Sequence, residues 1–205
     1  MVPKKKPYYI PVTWLPALLA GEAQCQFAPW VKAHFKFDKP EKDMSEWIED
    51  HAKLRDARRD ELVADDWQVA VEQEVKFNGQ AATLAGKLDL LVSHEGESLV
   101  VDAKTGKQRM KDYWQVLIYL VMVMKTSGLD PAHLTGEVCY SGSRVPVEGV
   151  DLAQVWQEVA ALMQVVAGEN APEPTPSAEE CRFCDVTKAM CPARIEPLEI
   201  GVTEF

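Results

Sequence analysis

The sequence predicts an α/β fold in which a mixed sheet is flanked by helices, and three observations lead to this prediction. Three strand-like segments follow one another with short turns between them in residues 67–106. A long apolar helical segment and a fourth strand follow, and a second long helical segment ends near residue 168. A meander followed by helix, strand and helix is typical of α/β domains, because the first helix can carry the chain back to add a strand.

The elements can be assigned in order from periodicity and turn signals. We expect a helix over residues 13–35, capped by Thr13 and with Pro16 in its first turn. Apolar residues at helical spacing predict a charged amphipathic helix next, and alternating apolar residues predict the strands of the meander. These remaining elements are a helix over 43–63, strands over 67–79, 81–97 and 98–106, a helix over 109–128, a strand over 134–143 and a helix over 151–168.

Composition limits the class of protein. The chain has 205 residues, enough for one domain with a sizeable core, and its net charge is -10. That charge disfavours a generally basic nucleic-acid coat protein but allows a local basic channel, because screening keeps fields short-ranged. No apolar run reaches the ~18 residues of a membrane-spanning helix. The basic start resembles a secretory signal, but Pro7, Pro11 and Pro16 interrupt its apolar part, so we expect a cytoplasmic protein without a membrane partner.

Two carboxylates and a lysine are predicted to meet on neighbouring strands. Asp89 lies on the second strand of the meander, and Asp102 and Lys104 lie on one face of the third. Adjacent strands are ~5 Å apart, so the two carboxylates can converge, where they repel each other unless a cation is present. Mg²⁺ or Mn²⁺ accepts such a pair together with a backbone carbonyl and water. The alternative is a simple surface ion pair between Asp102 and Lys104.

The helix that follows carries two polar residues in an apolar context. Gln115 and Tyr119 are four residues apart and therefore lie on one helix face. Each needs a hydrogen-bond partner if it is buried. The alternative for Tyr119 is a hydroxyl that reaches the surface.

Taken together, these motifs resemble the PD-(D/E)XK nuclease superfamily. The segment Gly86–Asp89, then twelve residues, Asp102–Lys104, then ten residues, and Gln115–Tyr119 is similar to the RecB and AddB nuclease domains and the CRISPR-associated Cas-four exonucleases. The resemblance implies a restriction-endonuclease-like core. It also implies that His51, Asp89, Asp102 and the carbonyl of Ala103 bind Mn²⁺ or Mg²⁺, that Lys104 acts on the attacking water, and that Gln115 and Tyr119 contact DNA near the scissile phosphate. Glu72 or Glu74 would support the metal ligands.

Four cysteines form a second group. Cys181, Cys184 and Cys191 are clustered, which is one thiolate too few for a four-cysteine site, and Cys25 lies far upstream. In the same nuclease branch, one N-terminal and three C-terminal cysteines hold a [4Fe–4S] cluster, so the resemblance implies an iron–sulfur-stapled helical cap. Structural zinc is the alternative, because four thiolates also suit Zn²⁺. Cys139 is expected to be a buried apolar residue.

The resemblance implies a domain organisation. It places an N-terminal helical segment at residues 1–42, the nuclease core at 43–168, a Pro-rich linker at 169–178 and the cysteine segment at 179–205. We expect the first and last of these to form one compact unit.

The implied function is a metal-dependent exonuclease for single-stranded DNA ends, in CRISPR spacer acquisition with the Cas-one integrase or in phage DNA processing and recombination. Lysines around the site, with stacking from Tyr113 or Trp114, would contact DNA. One alternative is a DNA-binding subunit whose cleavage is gated by a partner or absent. Another is a zinc-stapled endonuclease. Cleavage polarity and oligomeric state stay open.

Overall fold

A computed structural model describes residues 2–38 and 43–196. The chain forms a six-stranded sheet, a separate two-stranded sheet and six α-helices within these ranges. In chain order the elements are β1 (Val2–Pro3), β2 (Tyr8–Pro11), α1 (Pro16–Leu19), α2 (Phe27–His34), β3 (Phe35–Lys36), α3 (Ser45–Ala64), β4 (Gln68–Asn78), β5 (Ala82–His94), β6 (Glu97–Lys104), α4 (Met110–Ser127), β7 (Leu134–Tyr140), β8 (Ser143–Val147), α5 (Leu152–Val166) and α6 (Ala178–Phe183).

The long strand β5 organises the larger sheet. β4 pairs antiparallel with one edge of β5 over nearly its whole length. The other edge is shared, because β2 pairs parallel with its start at residues 82–85 and β6 pairs antiparallel with its end from Leu90 onward. Residues 86–89 therefore pair with none of the described strands on that edge. The gap is where the chain can place side chains from other elements against the sheet.

The remaining strands follow the predicted crossover. β6 pairs parallel with β7, and α4 connects them. Parallel neighbours need such a crossover, because a short turn can join only antiparallel strands. β7 then pairs antiparallel with β8. The sheet is mixed and its order is β2-β5-β6-β7-β8, with β4 beside β5.

Helices cover both faces of this sheet. Along β6, Val100 packs with α4 and α5 in the main apolar core. Its neighbour Val101 points the other way and packs with Leu62 of α3. This alternation is the period-two pattern of a strand buried on both sides. The predicted α/β fold with a mixed central sheet flanked by helices is confirmed.

The N-terminal region differs from the predicted helix. Residues 13–35 do not form one helix, because α1 ends after one turn and α2 starts only at Phe27. Gly21 has φ +70°, a left-handed conformation that breaks the helix at low cost because glycine lacks a Cβ. Thr13 lies inside a 3₁₀ turn and does not cap, whereas Pro16 occupies the first position of α1. The strand β2 before this turn lies outside the elements that the sequence predicted.

The predicted fourth strand is also two strands. β7 ends at Tyr140, the chain turns at Gly142 with φ +83°, and β8 returns beside β7. The turn signal Ser141–Gly142 lies inside the segment that we assigned to one strand.

The C-terminal segment returns to the N-terminal helices. After α5 the chain runs without regular structure to α6. Val186 and Cys191 then pack against Val31 of α2 in a small apolar cluster. The indole N–H of Trp30 donates to the carbonyl of Gly168, 2.8 Å away, which fixes α2 to the end of α5. Over the described ranges, no helix is both long enough and apolar enough to cross a bilayer.

Candidate active site

Asp89 and Asp102 meet where β5 and β6 diverge. The pairing between the two strands ends at Leu90 and Val101. Asp89 precedes Leu90 and Asp102 follows Val101, so both aspartates lie just beyond the last pair. Both residues are buried: Asp89 is 9 % exposed and Asp102 is 2 % exposed. An oxygen of Asp89, Oδ2, accepts the backbone N–H of Ala103 at 2.7 Å. The meander therefore brings the two predicted carboxylates together, as the sequence spacing indicated.

Asp102 is held from two directions. Its Oδ2 lies 2.5 Å from Nζ of Lys104, and its Oδ1 accepts a hydrogen bond from Nε2 of Gln115 at 2.9 Å. Among the described residues, this Oδ2 has the ion pair with Lys104 and no further hydrogen-bond donor. Burial raises the pKa of Asp102 to about 6, although Lys104 opposes this shift. The simple surface ion pair is thus wrong, because Asp102 is almost fully enclosed.

His51 reaches the same site from α3. Its Nε2 lies 3.1 Å from Oδ2 of Asp89, and this contact raises the pKa of His51. The ring of Trp47, one turn earlier in α3, stacks on the imidazole with 5.1 Å between ring centroids. A histidine on a charged helix is usually solvated, and here the two contacts fix its orientation toward the carboxylates.

Tyr119 of α4 closes the gap on β5. Its hydroxyl donates to the carbonyl of Lys87 at 3.1 Å, within the stretch that lacks a strand partner. The ring lies against Gly86, where a Cβ would be only 2.6 Å from Cε1 of Tyr119. Tyr119 is 2 % exposed, and burial raises the pKa of its phenol. The hydroxyl therefore does not reach the surface.

The two acidic residues of β4 have different surroundings. Glu72 accepts from Lys87 at 2.7 Å and also from Arg55 of α3. Its φ of +53° lies in the left-handed region, opposite Asp89 across the sheet. Glu74 instead pairs with Lys76 at 2.7 Å. Both residues line the cleft over the carboxylates, but of the two only Glu72 links β4 to both α3 and β5. Alternation along the strand did not distinguish the two residues.

A cleft of about 760 Å³ opens over the carboxylates, with His51, Asp89, Asp102, Lys104, Gln115 and Tyr119 in its wall. A second cleft of about 600 Å³ adjoins it and shares Thr13, Trp47, Lys104 and Gln115. The predicted stacking residues Tyr113 and Trp114 line neither cleft; they are half-buried and pack against the main core. Trp47 lines both clefts, and the sequence pattern marked it only as an aromatic residue of the charged helix.

The donor set suits a hard divalent cation. Asp89, Asp102 and the imidazole of His51 provide oxygen and nitrogen ligands of the type that Mg²⁺ and Mn²⁺ accept. Oδ2 of Asp102 is buried and contacts Lys104 as its one charged partner among the described residues, and a second carboxylate beside it increases the need for positive charge. In residues 2–38 and 43–196, no group of three or more His, Cys, Asp or Glu side chains is arranged as a ready metal cluster. Lys104 and His51 now provide the compensating contacts.

The four cysteines lie at one end of the molecule. Cys25 precedes α2, Cys181 lies in α6, and Cys184 and Cys191 pack in the apolar cluster of α2. Burial raises the pKa of the Cys184 thiol, and the neighbouring thiol of Cys25 acts in the same direction. All four are free thiols, as is the buried Cys139. The backbone N–H of Gln24 donates to Glu180 at 2.5 Å, which joins the two cysteine-bearing segments.

Comparisons with known proteins agree with this geometry. The Gene 69 protein of Mycobacterium phage D29 is 30% identical over 139 residues, which cover 63% of this chain and 50% of that protein. The chain thus matches about half the length of this relative. A solved structure from Eubacterium rectale, assigned as a candidate exonuclease, shares the fold with a TM-score of 0.53 at 15% identity, covering 94% of this chain and 91% of that one. The profile of the PD-(D/E)XK nuclease superfamily matches residues 27–192, and the chain therefore belongs to this superfamily.

Proposed function

We propose that this nuclease is a metal-dependent exonuclease that hydrolyses single-stranded DNA from an end. The observation that carries the proposal is the convergence of Asp89, Asp102 and Lys104 in one cleft, with His51 beside them. Superfamily membership supports phosphodiester hydrolysis of DNA with a divalent metal. The burial of both carboxylates favours a single strand, because a flexible strand can bring a phosphate to a recessed site more easily than a stiff duplex.

The residues have distinct proposed roles. Asp89, Asp102, His51 and the Ala103 carbonyl would hold Mn²⁺ or Mg²⁺, and the imidazole tilts the preference toward Mn²⁺ because it is a softer ligand than carboxylate. The bound metal supplies Lewis-acid activation of water and phosphate. Lys104 orients the attacking water and carries positive charge next to the phosphate. Gln115 contacts DNA near the scissile phosphate.

Tyr119 has a proposed positioning role as well as the DNA contact that the family implies. Its buried hydroxyl holds the carbonyl of Lys87 and so fixes the strand segment that carries Asp89. Gln115 likewise fixes the orientation of Asp102 through its hydrogen bond. α4 thus sets the distance between the two carboxylates, and a site that must bind a metal depends on such support.

We further propose that Cys25, Cys181, Cys184 and Cys191 hold a [4Fe–4S] cluster that staples the terminal segments. The hydrogen bond from the Gln24 backbone to Glu180, which joins the segments that carry Cys25 and Cys181, supports it. Zinc is the competing ligand. Anaerobically purified protein with broad visible absorbance and about four irons per chain supports the cluster, whereas a colourless protein with one zinc per chain supports the alternative.

The biological setting is proposed to be phage DNA processing or recombination. The similarity to a protein of a mycobacteriophage favours this setting over CRISPR spacer acquisition with a Cas-one integrase. The competing function is a DNA-binding subunit whose cleavage is gated by its partner or absent. The intact Asp89, Asp102 and Lys104 favour an active nuclease.

The test is digestion of end-labelled single-stranded DNA with Mn²⁺ by the wild-type chain and by Lys104→Ala. We expect cleavage by the wild type, a loss of at least about 100-fold in the variant, and activity near wild type for the control Lys125→Ala at the far end of α4. The label position gives the polarity. A folded wild type that binds DNA and does not cut it would support the partner-gated alternative.

A further inference from the structure

We infer that Trp47 stacks on a base of the single-stranded substrate while the lysines of the second cleft bind its phosphates. The inference rests on the proposed function and specifies how the site distinguishes a single strand from a duplex. It assigns the substrate contact to the first turn of α3 and the 105–111 segment. Both lie at the rim of the reactive cleft.

Trp47 is unusually exposed for its type. Half of its surface, 50%, is accessible, and the next residue, Ile48, is 57% exposed. Both lie in the first turn of a helix that is otherwise dominated by charged residues. The side chain of Asp43 accepts hydrogen bonds from the backbone N–H and hydroxyl of Ser45, which fixes this turn. A large exposed aromatic at the mouth of a cleft is typical of a binding residue.

The ring is held ready for a flat ligand. One face of Trp47 stacks on His51, with 26° between the ring planes. Stacking fixes the side-chain rotamer, so binding a base on the accessible side loses little conformational entropy. Every nucleobase has a π-face, so the contact does not depend on sequence. In a duplex the faces are already stacked on neighbours, and only an unpaired base can use this surface.

The two clefts differ in charge, and this difference determines which cleft the phosphates of the DNA strand occupy. In the first cleft, Arg55 and Lys87 pair with Glu72, and Lys76 pairs with Glu74. These carboxylates leave little positive charge for phosphate.

In the second cleft, Lys107 and Lys111 have no side-chain ion pair within residues 2–38 and 43–196. Arg109 beside them pairs with Glu22 at 2.8 Å and remains half-exposed. The wall contains one carboxylate, Asp112, whose Oδ2 accepts from the hydroxyl of Tyr140. The phosphates therefore bind along the 105–111 segment, and the strand passes Trp47 and Lys104 before the carboxylates. The basic residues of this 105–111 segment explain how a chain of net charge -10 binds a polyanion.

The test is the affinity for fluorescent single-stranded oligonucleotides in EDTA, so that no strand is cut. Trp47→Ala is expected to weaken binding by about 5- to 150-fold, and Trp47→Phe by much less, because a smaller ring still stacks. Val63→Ala changes an exposed apolar residue at the other end of α3 and is the matched control, with no loss expected. Lys107→Ala and Lys111→Ala should each reduce the salt dependence of binding by about one counterion.

An abasic residue moved along the oligonucleotide separates stacking from an indirect effect through His51. At one position the missing base should weaken binding to the wild type and leave Trp47→Ala unaffected, because the base and the ring form one contact. An indirect effect would instead change the Mn²⁺ concentration needed for cleavage and leave the abasic penalty intact. That result, or wild-type affinity in Trp47→Ala, overturns the inference while the nuclease can still be active. A wild type that neither binds nor cleaves DNA removes the proposed function itself.

Discussion

Replacing Gly86 with alanine tests whether α4 holds the unpaired stretch of β5 at a fixed distance. A Cβ atom at this position would lie 2.6 Å from Cε1 of Tyr119 and 2.9 Å from Cγ2 of Val12. Neither side chain can move into solvent, because they are 2 % and 1 % exposed. The hydrogen bond from Tyr119 to the carbonyl of Lys87 restricts the ring further. The added methyl group must therefore displace packed atoms.

The net cost follows from two opposing effects. Overpacking a well-packed core costs about 1–3 kcal/mol in unfolding free energy. Alanine in place of glycine within a strand returns about 0.5–1 kcal/mol, because the unfolded chain has fewer conformations to lose. The difference is about 0–2.5 kcal/mol. Because the added Cβ would lie under 3.0 Å from two buried side chains, we expect the upper part of this range, a net loss of about 1–2 kcal/mol, for Gly86→Ala. With a urea dependence of about 2 kcal/mol per molar, the unfolding midpoint falls by about 0.5–1 M.

The assay is urea unfolding followed by circular dichroism, with nuclease activity measured in parallel. Gly106→Ala is the control, because a Cβ at Gly106 meets no atom within 4 Å and its φ is not left-handed. Its midpoint should equal or slightly exceed that of the wild type. Activity of Gly86→Ala should fall even where the protein is fully folded, since Asp89 lies on the displaced strand. A wild-type midpoint and wild-type activity in Gly86→Ala would refute the reasoning.

Two further predictions concern buried charges. Arg58 of α3 donates to both oxygens of Glu137 of β7 at 2.8 and 3.0 Å, and the Glu137 side chain is 12 % exposed. Arg58→Met therefore leaves a largely enclosed carboxylate without this partner and should lower the unfolding free energy by about 3 kcal/mol, the low end for a buried pair. Arg58→Met combined with Glu137→Leu should recover most of this loss in urea unfolding, and a double variant as unstable as the single one would contradict the pairing. Burial raises the pKa of Asp102 from 3.8 to about 6, so the folded state binds the carboxyl proton more tightly than the unfolded state does. The unfolding free energy therefore falls as pH rises from about 4 through about 6, by at most about 3 kcal/mol. In EDTA, Asp102→Asn should therefore unfold at higher urea than the wild type at pH 7.5 and lose this advantage near pH 4, while its cleavage is abolished; lower stability at pH 7.5 would contradict the reasoning.

The parts of the site that the sequence predicts are those set by local geometry. Alternation along β6 places Asp102 and Lys104 on one face, and a tight turn between β5 and β6 brings Asp89 to the same level. Helical spacing places Gln115 and Tyr119 on one face of α4. These relations depend on the periods of strand and helix and on short connections, so they can be predicted without knowledge of the rest of the fold.

The parts that the sequence misses depend on contacts between distant segments. β2 has four residues, includes Pro11, and becomes a strand only because the start of β5 offers a free edge. Trp47 has the same local sequence signal as any aromatic in a helix, and its place at the two clefts depends on where α3 packs. Glu72 and Glu74 differ in their partners, because of the two only Glu72 accepts hydrogen bonds from Arg55 and Lys87.

The burial of Asp102 connects the stability of this protein with its chemistry. A carboxylate that is 2 % exposed, next to a second carboxylate, destabilises the fold unless positive charge or hydrogen bonds compensate it. The compensating groups here come from different elements: Gln115 from α4 and Lys104 from β6. His51 from α3 does the same for Asp89. If Asp89, Asp102 and His51 held a divalent cation, as proposed, it would supply positive charge that Lys104 and His51 provide to the carboxylates in this structure. The residues that balance the buried carboxylates are therefore the same residues to which the proposed function assigns roles in the reaction.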